Sequence, residues 1–128
     1  MRAATLVFQN LIRLLWIVTI LFGIAFWLGH LLRFVPLHQA LGLLIALCLI
    51  VLSILGIVGA RAYGPGVAGI VIVILLPIVG MGQLSWLPGS GHVAIQVIHL
   101  LVGIAAIGIA EAVGARLRRT QRGVPRAA

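Results

Sequence analysis

Lysine is absent from this chain, and Glu111 is its only acidic residue. Without a second carboxylate there is no carboxylate pair for general acid–base work. No Ser-His-Asp set can be assembled, and no glycine loop stands before a soluble helix to cradle phosphate. Hydrolytic chemistry therefore has no residues to run on. Cys48 is the lone cysteine and lies inside an apolar run. That excludes a disulfide framework and a thiolate metal cluster, and leaves a small core residue. Polar surface is scarce too. Hydrophobic residues make up 63% of the 128 positions, more than a soluble domain of this size can hide.

What remains is long apolar runs punctuated by arginine. Four runs, at about 8–32, 38–60, 66–86 and 92–114, can each cross a hydrocarbon layer of about 30 Å as a helix. They are too long for the strands of a barrel, and helices satisfy their own backbone groups in lipid. The first run resembles a signal peptide, but its apolar stretch is too long and no small-residue cleavage pattern follows. It reads as the first membrane helix. Pro36 opens the second run, where proline suits a helix start. GARAYGPG, residues 59–66, reads as a loop, and LPGSG, residues 87–91, as a tight turn. Pro77 interrupts the third run and should kink it. The expected fold is all-α: an up-down-up-down bundle of four transmembrane helices over residues 1–115, then a basic tail over 116–128 that frays.

The net charge of +8 comes wholly from arginine. Because the arginines sit at the ends of apolar runs, they read as topology signals and contacts to anionic headgroups rather than a nucleic-acid surface. Arg2 and Arg13 precede the first span, Arg61 lies between the second and third, and Arg116, Arg118, Arg119, Arg122 and Arg126 follow the fourth. Only Arg33 falls on the other side. The positive-inside rule then puts both termini in the cytoplasm of a bacterial-type inner membrane. Trp27 and Trp86 mark the outer interface, and Trp16 and Tyr63 the inner one.

Small residues should carry the helix contacts, because lipid tails are as apolar as leucine and burial alone does not bring helices together. Ala106, Ala110 and Gly114 form one ridge, with Gly56, Gly59 and Ala60 on the second span and Gly66 and Gly69 on the third. The ridge on the fourth helix also suggests a homodimer or a place in a larger membrane complex. Glu111 needs a partner if buried, and Arg61 is the candidate for a structural ion pair.

The histidines are the unusual feature. His30, His38, His92 and His99 all fall toward the outer half. His99 is the deepest, inside the run QVIHLLVGIAAIG, and an intramembrane ionisable residue is a functional candidate by default. His99 lies as many residues before Arg116 as His30 lies after Arg13, so a depth count pairs His99 with His30. A second pattern pairs it with His38. His38 is followed four residues later by Gly42, and His99 by Gly103. Residues at that spacing share a helix face, and a glycine one turn from a ligating imidazole leaves room for a flat macrocycle against the backbone. Haem iron takes imidazole as an axial ligand, and a bundle interior is a usual place for it.

With four helices and histidines on the first, second and fourth, the chain resembles the small four-helix membrane cytochromes of the b561 type. The resemblance covers the four spans and rests on the four histidines and the two H-x-x-x-G spacings. It implies b-type haem held by bundle histidines and one-electron transfer. Those cytochromes place ligands toward both membrane faces. Here every histidine is on one side, so one haem b is expected, with His99 as one ligand and His38 or His30 as the other. His92 is assigned to a propionate or a quinone. Two further readings stand beside this one: a cofactor-free structural or assembly subunit of a membrane complex, and a small solute or ion transporter.

Overall fold

In a computed structural model the chain is all-helical, with no strand among the described residues, which are 2–83, 85–87 and 89–123. The helices are α1 (Arg2–Trp27), α2 (Val35–Ala60), α3 (Tyr63–Gly82) and α4 (His92–Gly123), with short 3-10 turns at Leu32–Phe34 and Gly89–Gly91. All four helices are long and apolar enough to cross a membrane. Contacts at their ends fix the direction of travel. Phe26 near the end of α1 meets His38 near the start of α2, Ile57 near the end of α2 meets Gly66 near the start of α3, and Gly80 near the end of α3 meets His99 on α4. Consecutive helices therefore fold back on one another. α4 also packs on α1 and α2, which closes the bundle.

The element boundaries differ from the sequence expectation in ways that have local causes. α1 starts earlier than expected and stops at Trp27, because Gly29 and Leu31 take left-handed backbone at φ 79° and 57°. The loop expected over 59–66 shrinks to Arg61 and Ala62. Arg61 turns the chain in left-handed conformation at φ 47°, and the Ala62 N–H donates to the Gly56 carbonyl at 3.0 Å. Pro65 falls in the first turn of α3, where a missing N–H costs little. Pro77 lies inside α3, and the helix runs on through it to Gly82. The arginines after residue 115 do not fray: α4 stays helical to Gly123. Pro88 of the turn over 87–91, and residues 124–128 with Arg126, lie outside the described residues.

Ile12 on α1, Leu49 and Leu52 on α2, and Val113 and Leu117 on α4 are fully buried and form the centre of the core. The outside is apolar as well: Leu14 is 61% exposed and Val58 78%. Such a surface would aggregate in water and is at home against lipid tails. Small residues do make the close contacts. A methyl group on Gly56 would strike Val113, and one on Gly66 would strike Ile57. Gly69 packs on the Ser53 hydroxyl and Gly114 on the Gln9 amide. Ala106 and Ala110 are buried at 1% and 0% exposure, so the ridge expected to serve a dimer is spent inside the bundle.

Candidate cofactor site

α2 enters the bundle at Val35, with proline at the first turn, so His38 lies one turn below that end. α4 begins at His92, and His99 is two turns deeper on nearly the same face. Because α2 and α4 pack together, the two imidazoles face each other, ring centres 6.2 Å apart and planes tilted by 58°. Both Nδ1 atoms are buried without a hydrogen-bond partner. That is costly for any polar atom and acceptable for one waiting on a ligand.

Around the pair lies a chamber of about 690 Å³, lined from all four helices. This volume falls in the range of about 300–1,000 Å³ usual for ligand pockets. His38 and His99 line it, and so do Gly42 and Gly103. A methyl group built on either glycine would meet nothing within 4 Å. The slot inferred from the H-x-x-x-G spacing is therefore open space. His92 lines the chamber at the start of α4, and Thr19, Gln39, Gln83 and Gln96 are further polar members.

The neighbours of the two rings are set by contacts that the sequence did not advertise. His38 stands edge-on to Phe26 at 5.4 Å and reaches the backbone carbonyl of Thr19. Metal-binding imidazoles are commonly oriented by an N–H bond to such a carbonyl. The Thr19 hydroxyl is occupied elsewhere, with the Leu15 and Trp16 carbonyls at 3.0 Å each. His99 lies on Gly80 of α3, whose hypothetical methyl would come within 3.0 Å of Cε1. Gly80 thus gives His99 its seat. Trp16, expected to mark the inner interface, also takes part in the bundle. Its indole N–H donates to the Gly103 carbonyl at 2.9 Å and ties α1 to α4 beside the chamber.

His30 does not join the set. It lies after the end of α1, exposed, with its backbone N–H bonded to the Ala25 carbonyl at 2.8 Å. The depth count that paired it with His99 treated Arg13 as the inner end of α1. In fact α1 begins at Arg2 and Arg13 stands well inside it.

The ion pair is also different from the expected one. Glu111 pairs with Arg13, not Arg61. Arg13 donates through Nε to Oε1 at 2.5 Å and through Nη2 to Oε2 at 2.7 Å. Gln9 Nε2 donates to Oε2 at 2.7 Å. Arg61 is committed to the left-handed turn between α2 and α3 and lies exposed there.

The donor set limits what the chamber can hold. No group of three or more His, Cys, Asp or Glu side chains converges among the described residues. A structural zinc site wants four protein ligands, so two imidazoles do not make one. Two imidazoles do suit a metal that brings its own equatorial donors, which is what haem does. The His38 and His99 rings, 6.2 Å apart between centres, would be the residues to hold such a group. Comparison of the chain with protein-family models, with characterised proteins and with solved structures finds no match, so the reading of this site rests on its own geometry.

Proposed function

We propose that the bundle holds one b-type haem between His38 and His99 and serves one-electron transfer near one face of a membrane. The observation that carries the reading is the facing imidazole pair, 6.2 Å between ring centres, beside two glycines that leave open space. When bound, haem supplies a one-electron couple whose potential follows its axial ligands and its burial. The chain's own residues hold and shield it. Thr19 and Gly80 fix the two imidazoles. Gly42 and Gly103 let the macrocycle lie against backbone, and Ile45, Leu76 and Leu100 form part of an apolar wall. His92, Gln83 and Gln96 offer polar contacts to the carboxylates of the group or to a quinone.

The arginine distribution supports cytoplasmic termini in a bacterial-type inner membrane, with the histidine end outward. Reporter fusions at either terminus would check that orientation. The deciding experiment is an absorption spectrum of the purified chain expressed with haem available. A Soret band that shifts on reduction, and is lost in H38A and in H99A but kept in H30A, is the expected result. Absence of the band in the parent chain would end the haem reading and leave the cofactor-free subunit as the better account.

A further inference from the structure

Nine arginines share one carboxylate in this chain, and that carboxylate is taken. Glu111 is held by Arg13 and by the Gln9 amide nitrogen. The Gln9 carbonyl oxygen accepts from Arg118, about two turns further along α4. Beside this relay, between the start of α1 and the end of α4, runs a groove of about 200 Å³ lined by Leu6, Arg118, Gln121 and Arg122. Arg118 and Arg122 are one helical turn apart, so two guanidiniums share one wall. Leu6, 49% exposed, offers the apolar wall opposite. The sequence has no other acidic side chain to neutralise them.

We propose that this groove binds a phosphate group, gripped by Arg118 and Arg122. Guanidinium forks match phosphate oxygens in pairs, and such charge-assisted bonds are roughly twice as strong as neutral ones. The phosphate can come from the headgroup of an anionic phospholipid or from a soluble phosphate. Leu6 gives an amphiphile an extra seat that a free ion does not use. A phosphate there relieves repulsion between the two arginines and pins the end of α4 to the start of α1. The site is separate from the His38–His99 chamber and stands or falls independently of it.

The test uses the delipidated full chain in a neutral detergent. Its Tm is followed against short-chain phosphatidylglycerol, phosphatidylcholine of the same chains, and inorganic phosphate. Ligand that binds the folded state raises Tm in step with its concentration. A rise with phosphatidylglycerol alone assigns the site to a headgroup, and an equal rise with inorganic phosphate assigns it to a soluble ion. R118Q/R122Q should weaken the interaction about tenfold or more, while R116Q/R119Q leaves it intact. Arg118 also holds Gln9, so R122Q alone is the cleaner variant and should weaken binding severalfold. The proposal is overturned if neither ligand shifts Tm, if phosphatidylcholine acts as well as phosphatidylglycerol, or if R122Q and R118Q/R122Q keep the full shift.

Discussion

Alanine at Gly42 and Gly103 distinguishes a chamber shaped for a ligand from ordinary loose packing. Both glycines line the chamber, and a methyl on either meets no atom within 4 Å. In the ligand-free chain nothing opposes the added methyl. Glycine in a helix interior costs about 0.8–1.0 kcal/mol relative to alanine, so G42A/G103A should stabilise the empty protein by roughly 1–2 kcal/mol. With a macrocycle against the backbone the same methyls stand in its way. Overpacking typically costs about 1–3 kcal/mol, which is a loss of about 5- to 150-fold in haem affinity. The two effects have opposite signs, and only a ligand in that slot produces both. Denaturant unfolding of the empty protein followed by circular dichroism gives the first. Titration with haem followed at the Soret band gives the second. An unchanged affinity in the double variant would refute the slot. A fall in stability of the empty variant would show that the glycines are packing contacts instead.

Two other perturbations follow from contacts outside the chamber. Arg13 and Glu111 lie on the outside of the bundle, 47% and 38% exposed, so where lipid covers that face removing one partner leaves the other charge without a counter-ion. E111Q should destabilise the bundle more than the double variant R13Q/E111Q does, and an SDS-titration unfolding series would reveal the reverse order if the pair contributes nothing. Arg61 turns the chain with left-handed backbone, which costs a non-glycine residue about 1–2 kcal/mol. R61G should therefore raise stability by up to about 1 kcal/mol after its extra chain entropy is charged against it. A loss of stability would mean that the Arg61 side chain makes a contact worth more than the strain.

Parts of this molecule were plain in the sequence, and others could not be. The four spans follow from run length and hydropathy, which report directly on the solvent that surrounds them. The His38–Gly42 and His99–Gly103 spacings are local, within one turn, and the structure places all four residues on one chamber. Pairing across helices is another matter. Arg61 looked like the partner of Glu111 because both lie near one end of the bundle, yet backbone geometry at the α2–α3 turn decides where Arg61 sits. Arg13 looked like a boundary marker, and its depth misdirected the count that favoured His30. An arginine can stand inside a membrane helix when a carboxylate meets it, and Glu111 on α4 does. Gly80 and Thr19 carried no signal at all, since a glycine or a threonine in an apolar run is common. Their roles exist only once α3 and α1 are brought against the imidazoles.

Two half-buried imidazoles are either a cost or an asset to the empty chain. Each presents a buried Nδ1 with no partner. Leaving such an atom unsatisfied costs about 1–3 kcal/mol. Leucine at both positions removes that penalty, fills part of the chamber, and adds apolar contact with Phe26 on one side and Gly80 on the other. H38L/H99L should then be more stable than the parent in the absence of haem, by about 2 kcal/mol or more. A structural histidine pair behaves the other way. If His38 holds α2 to α1 through the Thr19 carbonyl and the two imidazoles hold α2 to α4 through each other, their loss must weaken the bundle. Thermal unfolding of the empty parent, H38L, H99L and the double variant decides between the two. A stabilised double variant marks residues maintained at a cost for binding. A destabilised one marks a core contact, and the case for a metal between the rings would lose its physical basis.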